Sequence, residues 1–173
     1  MIRILVLVSL SLVSFQISGQ EVQTQSKKQV EFNDHINKWL SFSAPFITVG
    51  ELDKNYEEYL ILDSREQEEY DVAHLDGAKC VGYDDFDMST LDDIDKDQKI
   101  AVYCSIGYRS EKITEKLRKA GFKNAFNVYG SIFQWVNENK PVYNKAGEQV
   151  DKVHTFNRKW SKWVLTDEVK KVW

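Results

Sequence analysis

The segment that decides the fold reads Ile100–Ala101–Val102–Tyr103–Cys104–Ser105–Ile106–Gly107–Tyr108–Arg109–Ser110. Its first four residues form a continuous apolar run, which is typical of a strand that is buried on both faces of a sheet. A helical pattern follows over residues 109–120, and Gly121 stands where a left-handed helix end is expected. The segment therefore predicts a buried strand, a short loop that begins with a cysteine, and a helix.

The sequence on both sides of this segment alternates between strand and helix patterns. Strands are predicted over residues 46–49, 59–62, 79–81 and 125–129, and helices over residues 32–40, 65–73 and 131–137. Buried strands that are separated by helices indicate an α/β domain. We expect three layers, with a mainly parallel central sheet between helices.

Composition and charge exclude several classes of protein. The chain has 173 residues, of which 42% are apolar, so it can form one globular domain and is not a disordered chain. Two cysteines are too few for a disulfide scaffold or a four-thiolate zinc site. A formal charge of −4 argues against a nucleic-acid-binding protein.

The first 19 residues resemble a secretory signal peptide. A positive start at Met1–Arg3 precedes an uncharged run of 12 residues, Ile4–Phe15, and a small polar segment ends near Gly19. The run is shorter than the ~20 residues that a membrane-spanning helix needs. An uncleaved N-terminal anchor is the alternative. The sequence therefore predicts a periplasmic or secreted protein without a stable membrane span.

Two other segments differ from the rest in charge. Residues 145–173 carry a net charge of +3, whereas residues 20–144 carry −8. Because this C-terminal extension is rich in Val, Phe and Trp, we expect it to pack on the acidic domain, with His154 hydrogen-bonded there. A membrane or partner surface is the alternative. Residues 84–97 hold seven aspartates without the spacing of a calcium loop, and we interpret them as a solvated connection.

The candidate reactive groups lie where predicted strands end, which is where open α/β sheets bind their ligands. Cys104 follows one strand, and Asp63 and Arg65 follow another. The loop after Cys104 can direct backbone N–H groups at the sulfur, and the N-terminus of the following helix adds positive charge. Both features lower the pKa of a thiol. We therefore interpret Cys104 as a candidate nucleophile rather than as an inert residue of the core. Gly107 supplies the backbone freedom that a tight loop requires.

The pattern Cys104-x-x-Gly107-x-Arg109-Ser110 resembles the active-site loop of the rhodanese (sulfurtransferase) family. Three further segments are similar to family motifs: Leu62–Asp63–Ser64–Arg65 with Glu68–Glu69–Tyr70, His74–Leu75–Asp76–Gly77–Ala78, and Gly130–Ser131–Ile132–Phe133–Gln134–Trp135. Asp76 replaces a usual proline and Ser131 a usual glycine. The resemblance covers roughly residues 45–144, and the C-terminal segment resembles an extension of some secreted bacterial single-domain members.

The sequence divides into four segments, and the resemblance implies a catalytic cysteine in the third. The segments are a signal peptide (1–19), an N-terminal helical segment (20–44), a rhodanese domain (45–144) and an aromatic, basic extension (145–173). Cys104 would accept a sulfane sulfur as a persulfide. The residues that would bind the persulfide are Ser105, Ile106, Gly107, Tyr108, Arg109 and Ser110. Asp63 and Arg65 would support the loop as an ion pair, and His74 is expected to be structural before it is a general base.

The resemblance also implies the partners of the reaction. The donor would be a small sulfur compound such as thiosulfate or a persulfide, and the acceptor a thiol or cyanide. The resemblance implies no metal, organic cofactor or nucleic acid. A protein partner that binds the C-terminal extension remains an alternative.

Three other functions remain as alternatives. Phosphatases of the same fold use a Cys-x5-Arg loop, but here the spacing from Cys104 to Arg109 is Cys-x4-Arg and Tyr103 stands where those enzymes usually have a histidine. The domain could also be a catalytically silent binding or signalling module. A thiol redox protein would need Cys80 as a partner for Cys104, but we expect Cys80 to be buried and inert.

Overall fold

The computed structural model describes residues 27–173, so the predicted signal peptide lies outside the described residues. Within that range the chain forms a parallel sheet in the order β1-β5-β4-β2-β3. Its strands are β1 (Phe46–Ile47), β2 (Leu60–Asp63), β3 (Lys79–Cys80), β4 (Ile100–Tyr103) and β5 (Ala125–Val128). The helices are α1 (Lys27–Asn37), α2 (Val49–Lys54), α3 (Gln67–Val72), α4 (Tyr108–Lys119) and α5 (Ser131–Asn137). The predicted α/β fold with a parallel sheet is confirmed.

The strand β4 lies at the centre of the sheet and is buried on both faces. It pairs with β2 through Leu62↔Val102 and with β5 through Val102↔Asn127. Successive side chains of a strand point to opposite faces. Accordingly, Ile100 and Val102 pack in one hydrophobic cluster, and Ala101 and Tyr103 pack in the other. This burial explains why the segment is apolar without alternation.

The predicted strand over residues 46–49 is too long. It ends at Ile47, because Thr48 is the N-cap of α2. The Thr48 hydroxyl accepts a hydrogen bond from the Glu51 N–H at 3.2 Å, and the Glu51 carboxylate accepts one from the Thr48 N–H at 2.7 Å. This reciprocal capping box is a helix start that the Thr-x-x-Glu pattern in the sequence indicates.

The C-terminal extension packs on the domain and adds short strands. The strand β6 (Val142–Tyr143), at the end of the domain, pairs with β7 (Gln149–Val150) of the extension, and β8 (Lys152–His154) pairs with β9 (Lys170–Val172) within the extension. Val153 and Val164 are buried in the main core. The Trp163 ring stacks on His35 of α1 with centroids 4.4 Å apart. The extension and α1 are therefore packed against each other as well as against the domain.

Among residues 27–173, no helix has both the length and the apolar character needed to cross a membrane.

Candidate active site

Cys104 directly follows β4 and is 1% exposed. The backbone N–H of Gly107 donates a hydrogen bond to its Sγ at 3.2 Å. Burial raises the pKa of the Cys104 thiol, but the Arg109 charge and hydrogen bonds from Ser110 and Gly107 lower it further than burial raises it. The pKa of Cys104 therefore lies below that of an ordinary thiol, and the reactive thiolate is favoured.

The loop that holds the sulfur is fixed by Gly107 and by a side chain of β5. Gly107 adopts φ 118°, a left-handed conformation that favours glycine. The Asn127 side chain donates to the Gly107 carbonyl at 3.1 Å, and its Oδ1 accepts from the Ser110 hydroxyl at 2.6 Å. Asn127 is 2% exposed, so these bonds are shielded from water. Nothing in the loop motif pointed to this residue, which is 23 positions beyond Cys104.

Ser131, the departure from the glycine usual in the resembling motif, contacts the Cys104 loop directly. Its hydroxyl accepts a hydrogen bond from the Cys104 N–H at 3.1 Å and donates to the Val128 carbonyl at 2.9 Å. The residue has φ 49°, which explains why a glycine is common there. The next two N–H groups, of Ile132 and Phe133, donate to the carbonyls of Cys104 and Ser105. The start of α5 thus fixes the backbone at the end of β4.

Arg109 is held by Glu69 of α3 in a two-pronged ion pair. Its Nη1 lies 2.6 Å from Glu69 Oε2 and its Nη2 lies 2.9 Å from Oε1, and Nη2 also donates to the Ser105 hydroxyl at 3.1 Å. Burial raises the pKa of the Glu69 carboxyl, but Arg109 lowers it more, so the carboxylate is charged. In this geometry Arg109 holds the loop in place, and the Glu69 carboxylate largely neutralises the Arg109 charge.

Asp63 and Arg65 form a buried ion pair below the loop rather than part of the pocket. Both side chains are 0% exposed, and Arg65 Nη2 lies 2.6 Å from Asp63 Oδ2. The same Nη2 donates to the Ala73 carbonyl at 2.7 Å. The pair therefore ties the end of β2 to the end of α3.

His74 connects α3 to the C-terminal strands. Its Nδ1 lies 3.0 Å from the Tyr70 carbonyl oxygen, and its ring stacks on the Tyr70 ring at a centroid distance of 3.8 Å. Its backbone exchanges two hydrogen bonds with Tyr143. These contacts give His74 a structural role.

The expectation that Cys80 is buried is wrong, because the thiol is half-buried. Cys80 ends β3, which is the edge strand of the sheet, so one side lacks a neighbouring strand. Its Sγ lies 3.6 Å from the Arg65 carbonyl oxygen. Partial burial and the Asp63 charge raise the pKa of this thiol.

Both cysteines are free, and the sheet keeps them apart. Cys80 pairs with Asp63, and Asp63 pairs with Tyr103, the residue before Cys104. Two strand spacings separate the backbones by about 10 Å. A disulfide requires Cα atoms within ~7 Å, so a direct bond between these residues needs a different backbone.

A pocket of about 410 Å³ opens above Cys104. Its lining comprises Trp39, Glu66, Tyr83, Asp84, Cys104, Ser105, Ile106, Tyr108, Arg109, Phe156 and Trp160. The sequence predicted the loop residues of this set but not its walls. Trp39 was expected on the buried face of a helix, but α1 ends at Asn37 and the indole is 45% exposed. The high aromatic content of the extension was the available signal for Phe156 and Trp160.

His154 of the extension lies close to the ion pair of Arg109 with Glu69. Its Nδ1 accepts a hydrogen bond from the Phe156 N–H at 3.2 Å and is 3.8 Å from Glu69 Oε1. Burial lowers the pKa of His154, although the Glu69 charge raises it in part. The imidazole is therefore neutral near pH 7 and accepts at Nδ1. The expected hydrogen bond of His154 is thus made within the extension itself.

The structure thus defines an α/β domain in which a cysteine with a lowered thiol pKa lies in a tight loop between a parallel strand and a helix. Residues 48–138, more than half of the chain, match the Rhodanese-like domain family. The chain belongs to this family. Metal-binding clusters of His, Cys, Asp and Glu are absent from residues 27–173.

Several known proteins share this domain. A tRNA uridine(34) hydroxylase from Sodalis glossinidius is 37% identical over 81 residues, which cover 44% of this chain and 23% of that protein. A protein from Mycobacterium tuberculosis named as a probable adenylyltransferase/sulfurtransferase is 29% identical over 82 residues, covering 47% and 21%. The chain thus spans about a quarter of the length of these curated relatives. The crystal structure of a rhodanese-related protein from Thermoplasma volcanium matches with a TM-score of 0.50 and 29% identity, covering 57% of this chain and 96% of that one.

Proposed function

We propose that the protein is a sulfurtransferase that carries a sulfane sulfur on Cys104. The observation that carries this proposal is the Cys104 Sγ itself, which lies at the floor of a pocket and 3.2 Å from a backbone N–H. Burial raises the pKa of this thiol, but Arg109, Ser110 and Gly107 lower it more. Family membership supports the same activity, because the domain family takes its name from a sulfurtransferase.

The reaction would proceed in two half-reactions. In the first, the Cys104 thiolate attacks the outer sulfur of the donor. A new S–S bond forms, the donor's S–S bond breaks, and its electron pair leaves with the donor fragment, which is sulfite when thiosulfate is the donor. In the second, an acceptor thiolate or cyanide attacks the outer sulfur of the persulfide, and Cys104 leaves as a thiolate. Ping-pong kinetics are expected from such covalent catalysis.

Each neighbour of Cys104 has a role in this scheme. The backbone N–H groups of Gly107 and Ser110 stabilise the anionic sulfur, much as an oxyanion hole stabilises an oxygen. Arg109 lowers the thiol pKa and, with Glu69, keeps the loop in place. Asp63, Arg65 and His74 are positioning residues. The Asp63–Arg65 pair contacts the Ala73 carbonyl and the side chain of Tyr103, the residue before Cys104, and His74 contacts the Tyr70 carbonyl.

The test is sulfur-transfer turnover with several donors, comparing the wild type with Cys104→Ser. The variant should lose at least about a thousandfold in kcat, since it lacks the nucleophile. Activity that survives the substitution would overturn the proposal. Because the sequence resembles that of an exported protein, we propose that the reaction takes place in the periplasm or outside the cell.

A further inference from the structure

The pocket above Cys104 is completed by segments that lie outside the matched family region. Residues 48–138 supply the Cys104 loop, whereas Trp39 precedes that region and Phe156 and Trp160 follow it. Part of the pocket lining therefore belongs to the flanking segments of this chain.

Four aromatic side chains, Trp39, Tyr108, Phe156 and Trp160, form what we call the aromatic wall of this pocket. The Trp39 ring lies 5.5 Å from Trp160 and 6.0 Å from Tyr108, measured between centroids. The Phe156 ring lies 5.7 Å from the Arg109 guanidinium. The rings therefore support one another and leave apolar faces toward the space above the sulfur.

Phe156 is the most exposed side chain of the aromatic wall, and its backbone is strained. Its side chain is 55% exposed, and its backbone adopts φ 62°, a left-handed conformation that non-glycine residues rarely take. An exposed large apolar side chain and a strained backbone both cost free energy, and both are concentrated at ligand sites. The ring is thus placed to be covered by something apolar.

The charge of the pocket disfavours an anion. Glu66 and Asp84 line it as acids, and Arg109 is the single basic side chain among the lining residues given above. The Arg109 charge is already matched by Glu69, which contacts it at 2.6 Å. A doubly charged anion that entered this pocket would therefore meet two unmatched carboxylates and no unmatched cation.

We propose that this pocket selects sulfur donors with an apolar, preferably aromatic, body and less negative charge than thiosulfate. The inference rests on the proposed sulfur transfer and assigns the substrate class of the same site. The chemical class is an organic persulfide or thiosulfonate. With a persulfide, the Cys104 thiolate takes the outer sulfur, the donor's S–S bond breaks, and the organic thiolate leaves with the electron pair.

Comparing two donors that transfer their outer sulfur in the same way isolates the effect of the apolar body. Benzenethiosulfonate differs from thiosulfate in carrying a phenyl group in place of a charged oxygen, and each delivers its outer sulfur, leaving benzenesulfinate or sulfite. For the wild type, we expect kcat/KM to be at least about tenfold higher with benzenethiosulfonate, a factor typical of a filled apolar pocket. Because the two donors differ in intrinsic reactivity, the decisive quantity is how variants change the ratio of their kcat/KM values.

The variant that removes two of the four side chains of the aromatic wall is Phe156→Ala combined with Trp39→Ala. Both side chains are about half exposed, so their loss leaves the core intact. The ratio should fall about tenfold. Trp173→Ala is the matched control, since this indole is also exposed and lies in the extension but outside the pocket; it should leave the ratio unchanged.

A second variant tests the charge argument. Glu66→Gln combined with Asp84→Asn should raise kcat/KM for thiosulfate about threefold or more, because two repelling carboxylates are removed. Benzenethiosulfonate, with one charge fewer, should gain less.

The outcomes distinguish this inference from the function on which it rests. Absence of a Cys104 persulfide with every donor would contradict the sulfurtransferase function itself. Persulfide formation together with a thiosulfate preference, or with equal losses for both donors in the variant that lacks Phe156 and Trp39, would leave that function standing and overturn the substrate class.

Discussion

Cys80 and Cys104 both lie at the carboxyl ends of strands in one sheet, and the strand β2 lies between those two strands. Their surroundings are nevertheless opposite. Cys104 is buried, but Arg109 and the N–H groups of its loop lower its pKa. Cys80 is only partly buried, and this burial together with the neighbouring Asp63 charge raises its pKa. The position at a strand end is therefore not enough to make a nucleophile. A following loop and helix, and a nearby cation, make the difference.

The largest expected effect concerns the ion pair beside Cys80. Arg65→Met removes the partner of the fully buried Asp63 carboxylate and should lower the free energy of unfolding by about 3–5 kcal/mol. Urea denaturation measures this. Lys99→Met is the control, because the pair of Lys99 with Glu58 is about half exposed and its loss should change little. Equal effects of the two substitutions would show that Asp63–Arg65 is no structural support.

The next largest effect is the loss of kcat/KM on removing Arg109, the cation beside Cys104. Arg109→Gln should lower kcat/KM about a hundredfold near neutral pH, because it raises the pKa of the thiol and loosens its loop. In the wild type, kcat/KM should rise with pH around a midpoint below the ordinary thiol pKa, since the thiolate reacts. The variant's midpoint should lie higher.

A control separates charge from stability in that experiment. The double variant Glu69→Gln with Arg109→Gln leaves no unpaired buried carboxylate, so it should keep the folded state while showing the same upward shift of the midpoint. An unshifted midpoint in both variants would mean that Arg109 does not set the pKa of Cys104.

A smaller effect is expected at the start of α5. Ser131→Ala removes the acceptor of the Cys104 N–H and keeps the left-handed backbone, and should cost about 2 kcal/mol of stability. Ser131→Gly loses the same bond but relieves the backbone, so it should cost about 1 kcal/mol less. Thermal unfolding of the two variants measures the difference. A glycine variant less stable than the alanine variant would contradict this account of the backbone.

The smallest effect is expected at Cys80. Cys80→Ser should leave kcat/KM within about twofold of the wild type, because two strand spacings, about 10 Å, separate the backbone of Cys80 from that of β4, and because the pKa of the Cys80 thiol is raised. Steady-state sulfur transfer under oxidising and reducing conditions measures this. A large loss that appears only under oxidising conditions would favour the thiol redox alternative.

The fold was largely predictable because its central strands carry uninterrupted apolar runs. The sequence predicted the strand at residues 100–103 and the helix at residues 131–137 with the bounds that the structure has. The predicted strand over residues 46–49 is too long, since Thr48 and Val49 are β-branched and favour a strand, whereas the Thr48–Glu51 capping box starts a helix there. The short strands within residues 142–172 were not predicted, because strands of two or three residues give no periodicity.

The candidate site was predictable only where its residues are close in sequence. The loop from Cys104 to Ser110 is one motif, and the structure places it around the sulfur. Glu69 and Asn127 contact this loop from other elements, and an acid in a helical pattern is usually solvated. The aromatic wall depends on how the flanking segments pack, which charge and composition do not specify.

The most direct test of the difference between the two thiols is to find the transferred sulfur. The protein is treated with a sulfane donor, digested under non-reducing conditions and analysed by peptide mass spectrometry. The account predicts that the peptide with Cys104 gains one sulfur atom and that the peptide with Cys80 does not. Sulfur on Cys80, or equal amounts on both peptides, would contradict it.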